Sequence, residues 1–180
     1  DDKITFHELL AYKMDTRMEL ADRLVDDLVE AAESSDDKFL HETAAVLKKW
    51  DRCTDNESRG AVLFKEWVDA IGFHIDNPDL FHSPWLEEDP MNTPIGIADK
   101  TAGLAALRNA GKKVIDNHGK LDIAWGEVFR IIRDDVDLPA NGGPGDPYGL
   151  FRVTGYRPIE NNRYAAIGGD SFQAIIEFGD

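Results

Sequence analysis

A chain of 180 residues suits one domain or a large part of one, and 42% hydrophobic content is enough for a core. The net charge of −15 and a pI near 4.6 argue against nucleic acid and against an anionic membrane surface as partners, since both need a basic face; they describe a strongly hydrated acidic surface. No apolar run reaches transmembrane length, and Cys53, the single cysteine, excludes an internal disulfide.

Thr5 and Glu8 have capping-box spacing and predict a short helix through Lys13. Asp15 and Thr16 offer a second helix start. Residues 18–32 set Ala21, Leu24, Val25, Leu28 and Ala32 at helical spacing, with Glu19, Asp22, Arg23, Asp26, Asp27 and Glu30 facing water. That acidic face reads as solvated before it reads as a metal site. Residues 34–37 break and recap. Residues 39–50 predict a third helix on Leu40, Ala44, Leu47 and Trp50. Residues 58–71 predict a fourth on Ala61, Phe64, Trp67, Val68 and Ile71, stopped by Gly72.

Residues 73–97 carry Pro78, Pro84, Pro90 and Pro94 together with Phe73, Phe81 and Trp85. That stretch is too aromatic for a disordered linker and reads as an ordered arm packed on a neighbouring surface. Asp99 can cap a helix running to about residue 117 on Leu104, Leu107, Val114 and Ile115, ended by Gly119. Residues 124–133 read as a last short helix built on Trp125, Val128, Phe129 and Ile132.

The pattern changes over residues 138–178. Gly142, Gly143, Gly145 and Gly149 with Pro144 and Pro147 mark an unusual backbone path, and Tyr148, Leu150 and Phe151 give it apolar side chains to bury. Residues 151–156 alternate as a strand, Asn161-Asn162 reads as a turn, and residues 171–178 alternate again. In that last run Phe172, Ala174, Ile176 and Phe178 share a mostly apolar face. The fold class is therefore mostly α with a small β part, α+β. Residues 1–137 form a helical lobe that includes the 73–97 arm, and residues 138–180 form a glycine-rich loop with strands. The start at Asp1 and the strand beside the last residue read as a fragment of a larger domain.

Few residues gather into a site. The glycine-rich loop could cradle phosphate, but no Lys-Ser/Thr pair follows it and no strand-to-helix context surrounds it. Cys53 could be a nucleophile, yet it has no neighbouring signature, and a structural role is the simpler reading. His7, His41, His74, His82 and His118 show no zinc spacing; His74 and His82, with Asp76 and Asp79, are the nearest to a cluster. Asp146 and Asp170 lack the alternation of a calcium loop. Ser171, after Gly-Gly-Asp, has no obvious base and reads as a backbone or packing residue. No cofactor, no metal and no catalytic residue is assigned to these 180 residues.

Six segments recur in a familiar order: Leu47-Lys48-Lys49-Trp50-Asp51, residues 57–67 (ESRGAVLFKEW), Asp89-Pro90-Met91-Asn92-Thr93-Pro94, Ala124-Trp125-Gly126-Glu127-Val128, Leu138-Pro139-Ala140-Asn141-Gly142-Gly143 and Gly169-Asp170-Ser171-Phe172. Together they resemble the middle of the β-subunit of the penicillin amidase family of N-terminal nucleophile hydrolases, most like acyl-homoserine lactone and aculeacin-type acylases. The resemblance implies a precursor that cuts itself into α and β chains. It implies an N-terminal serine that attacks an amide carbonyl with its own α-amino group as base, and donors that stabilise the oxyanion. The serine, the histidine after it and the oxyanion asparagine precede the matched region, and neither Asn141 nor Asn161 fits the oxyanion motif.

The expectation is a helical lobe of an αββα hydrolase β chain with C-terminal strands, structural and inactive on its own. Its parent would be periplasmic or secreted and would act on a small acylated amide such as an acyl-homoserine lactone. Its partners would be the remaining α and β segments, and an unpaired strand predicts homodimerisation of the fragment. The alternative is a stand-alone helical interaction or scaffolding module without catalysis.

Overall fold

The computed structural model describes residues 3–72, 80–169 and 174–178. Helix α1 (Phe6–Lys13) begins where the sequence places it. The Thr5 amide donates to Glu8 Oε2 at 2.8 Å, and the Glu8 amide donates to Thr5 Oγ1 at 3.3 Å. None of its residues is buried.

Helix α2 (Glu19–Glu33) turns its apolar stripe to the core. Leu20, Ala21, Leu24, Val25, Leu28, Val29 and Ala32 are buried, while Asp22 and Asp26 stay at the surface and bind Arg52 at 2.9 and 2.5 Å. Helices α3 (Lys38–Lys49) and α5 (Lys100–His118) pack on α2, and α4 (Ala61–Ile71) packs on α5. The caps are those the sequence announces: Asp37 accepts from the Phe39 amide and Asp99 from the Ala102 amide, both at 2.9 Å. Gly72 (φ 69°) and Gly119 (φ 76°) close α4 and α5 in the left-handed conformation.

Helices α3 and α5 meet closely at Gly111, where an added Cβ would stand 2.8 Å from Thr43 Cγ2. Trp67 is fully buried between α4 and α5, and its indole N–H donates to the Gly103 carbonyl at 3.0 Å, which satisfies its one polar atom.

The proline-rich arm is ordered over its described residues. Strands β1 (Phe81–Ser83) and β2 (Ile95–Ile97) pair antiparallel. Two bonds tie the arm to α2: the Ile97 amide donates to Asp27 Oδ2 at 2.8 Å, and Arg23 donates to the Pro94 carbonyl at 2.9 Å. Trp85 remains exposed, and Phe73 and Pro78 lie outside the described residues.

The helix expected over residues 124–133 is a single turn, α6 (Trp125–Val128), followed by strand β3 (Phe129–Arg133). Asp134, at φ 50°, turns the chain into β4 (Val136–Pro139), which pairs antiparallel with β3. The strand wins because Ile131 and Ile132 are β-branched and because ladders form on both sides of β3. The change from helix to strand therefore comes at residue 129, ahead of the glycine-rich loop. Strand β5 (Thr154–Pro158) turns through Asn161 and Asn162, both at positive φ, into β6 (Tyr164–Gly169). The sheet order is β4-β3-β6-β5, with β3 and β6 parallel and the other pairs antiparallel.

Two further expectations need correction. Phe151 and Val153 precede β5, and Phe151 is 60% exposed rather than buried. Residues 174–178 carry no strand: Ile176 and Phe178 are exposed, and Phe172 lies outside the described residues. With no partner ladder among the described residues, apolar alternation alone does not hold an extended segment in a sheet.

Candidate functional site

The glycine-rich loop is a packing device. The amides of Gly142, Gly143, Gly149 and Leu150 donate to the carbonyls of Thr54, Arg152, Asp146 and Gly145. An anion cradle needs several free amides converging on one point, and these are spent internally. Tyr148 and Leu150 are buried under the loop. At Gly149 (φ 61°) a Cβ would stand 2.5 Å from Glu19 Cβ, so glycine is needed where the loop meets the start of α2.

Behind the loop lies an aromatic stack. Trp125 and Phe129 have ring centroids 3.7 Å apart, Phe129 stacks on Tyr164 at 5.0 Å, and Tyr156 meets Phe129 edge-on at 4.8 Å. The Tyr156 hydroxyl lies 3.0 Å from the Asn141 carbonyl and 3.2 Å from that of Gly142. Burial pushes its pKa up to about 12, so it stays protonated and holds the loop as a donor.

Beside this stack two charged side chains, Lys65 and Glu66, are largely buried. Lys65 Nζ lies 3.2 Å from Glu66 and 2.7 Å from Asp69, and stands 5.0 Å from the centroid of the Tyr164 ring. Lys113 reaches the other Glu66 oxygen at 2.5 Å. Burial alone would raise Glu66; Lys65 and Lys113 outweigh it and hold the carboxyl below its ordinary 4.5. Burial alone would lower Lys65, but Glu66 and Asp69 reverse that and hold it above its ordinary 10.5. Both groups are locked in their charged forms at neutral pH, so neither serves as a proton shuttle. They tie α4 and α5 to the sheet.

The remaining candidates stand apart. Burial, and then Asp51, push the Cys53 thiol upward, which disfavours the thiolate a nucleophile needs. Ser58 donates to Asp51 at 3.0 Å in a loop that Thr16 and Thr54 also knit. His41 bonds the Ser35 carbonyl, and no serine, threonine or cysteine side chain is hydrogen-bonded to a histidine among the described residues. His82 lies on β1, whereas His74, Asp76, Asp79, Asp170 and Ser171 lie outside the described residues. No group of three or more metal-ligating side chains occurs among the described residues. Sequence reasoning missed the joint of Lys65, Glu66 and Lys113, although Glu66 beside the apolar stripe of α4 was its one local sign.

The geometry gives a helical bundle joined to a small mixed sheet through charge and aromatic contacts, with a glycine-rich loop as the seal. A family model for penicillin amidase matches residues 1–180. The match spans the helical bundle, the arm and the sheet alike, and the chain belongs to the penicillin amidase family of amide hydrolases.

Proposed function

We propose that this chain is the scaffold part of an N-acyl amide hydrolase of the acyl-homoserine lactone or aculeacin acylase kind, acting on a fatty-acyl amide outside the cytoplasm. The observation that carries the reading is the penicillin amidase match over residues 1–180. The described geometry is in keeping with it. The buried charges of Lys65 and Glu66 serve a joint between layers, and Cys53 is poorly disposed to attack a carbonyl.

In this reading the nucleophile, its base and the oxyanion donors come from other segments of the same enzyme, and this chain supplies a folded lobe and a sheet for them to stand on. The uncovered apolar residues of β4, Val136 and Leu138, support a covering partner, either those segments or a second copy. A second reading, a stand-alone helical interaction module, draws on the buried apolar stripes of α2 to α5.

The test is to clone the reading frame around residues 1–180 and assay both products against N-acyl-homoserine lactones of graded chain length. The expected result is self-cleavage and hydrolysis by the whole protein and none by the 180-residue chain. Turnover by the short chain, or a complete frame with no self-cleaving serine, refutes the proposal.

A further inference from the structure

Arg17, Arg23, Arg52, Arg108, Arg130 and Arg163 each pair with a carboxylate. Four arginines have no carboxylate partner among the described residues: Arg59 donates to the Asp122 carbonyl instead, and Arg133, Arg152 and Arg157 all lie at the sheet. In a chain with net charge −15, three unpaired guanidiniums on one small sheet are unexpected.

Arg133 and Arg152 share a cavity of about 450 Å³ at the end of β3, β6 and β5. Thr154 and Asn141 add polar groups to its wall, and Ile131, Val153 and Ile167 add apolar surface. Among the described residues no Asp or Glu lines it. The volume falls in the range of small-molecule sites.

The wall is held by obligatory glycines. A Cβ on Gly142 (φ 79°) would stand 2.7 Å from the Arg152 carbonyl oxygen, and a Cβ on Gly169 (φ 142°) would stand 2.4 Å from that of Val153. Gly143 donates to Arg152 at 3.2 Å and receives from Thr154 at 2.7 Å. Residues 152–154 are thereby clamped between the loop and β6. Arg133 is anchored by Nη1 to the carbonyls of Ile132 and Ala166 at 2.9 and 3.3 Å, which leaves its other guanidinium donors to a ligand.

We infer that this cavity binds an organic carboxylate on a short apolar tail. Two guanidiniums suit a planar carboxylate, which each can grip in a two-point fork, and the isoleucine and valine walls suit the tail. Inorganic phosphate matches the charges but leaves the apolar walls unfilled.

The test is titration of the ¹⁵N-labelled chain with octanoate, octanol, octylamine and inorganic phosphate. Saturable shifts at residues 141–143, 152–154 and 166–169 are expected with octanoate, and at least tenfold weaker binding with the other three. Arg133→Gln with Arg152→Gln should weaken octanoate at least tenfold, and the double Lys variant should fall between. Asp170 follows Gly169 in the sequence, and Asp170→Asn should bind octanoate as well or better. Equal binding of octanoate and octanol by the unaltered chain overturns the inference even if a variant fails to fold. So does phosphate binding as tight as octanoate, full affinity in the double Gln variant, or lost affinity in Asp170→Asn.

Discussion

The helical bundle and the four-stranded sheet use their apolar residues differently. In α2 to α5 the apolar stripe of each helix meets another, so Leu24, Leu28, Leu47, Phe64, Trp67 and Leu107 are all but fully buried. In the sheet only the end next to α6 is covered, by Trp125, Phe129 and Tyr164. At the other end Ile131, Val136, Leu138 and Ile167 are 40 to 60% exposed. Burial depends on a second layer, and among the described residues only the bundle supplies one.

The two regions should respond unequally to the same kind of change. Trp67→Ala removes the largest side chain between α4 and α5 and leaves the Gly103 carbonyl without its donor; about 4 kcal/mol of stability should be lost in urea unfolding. Glu66→Ala breaks the joint and leaves Lys65 with Asp69 alone, for a loss of about 3 kcal/mol.

The joint also has a pH signature. Glu66 is held below 4.5, so its contribution is complete above that value and is lost as the pH falls through its lower folded value. Lys65 is held above 10.5, so its contribution is complete below that value and fades as the pH rises through its higher folded one. Glu66→Gln should flatten the acid limb of the stability profile. An unchanged acid limb in that variant would show that the joint is not an ionic tie.

Gly111→Ala should cost about 1 to 2 kcal/mol through the contact with Thr43 and Phe39, despite the better helix propensity of alanine; a rise in melting temperature would break the argument for close packing there. Ile167→Thr, at the uncovered end of the sheet, should change stability by less than about 0.5 kcal/mol in the same unfolding assay. A loss of 2 kcal/mol there would mean that the sheet is covered in solution, and light scattering would then report the second copy.

The helical half was legible in the sequence because its signals are local. Thr5, Asp99, Gly72 and Gly119 mark their helix ends by chemistry that acts within one turn. Residues 124–133 misled because Trp125, Val128, Phe129 and Ile132 satisfy the helical period. The ladders that make 129–133 a strand come from residues 136–139 and 164–165. The same distance hid the joint: Glu66 meets Lys113 only once α4 lies on α5. The cavity of Arg133 and Arg152 was equally hidden, since nothing local separates an unpaired arginine from a paired one.

The parallel contact of β3 with β6 also sets an order of assembly. Phe129 faces Tyr164 only after the glycine-rich loop and β5 have been folded back between them, and that closure costs chain entropy before any ladder bond repays it. Contacts of α2 with α3 span a short hairpin and carry no such delay. In refolding followed by pulsed hydrogen exchange, amides of α2 and α3 should gain protection first and those of β6 last, so that the bundle serves as the template on which the sheet is laid.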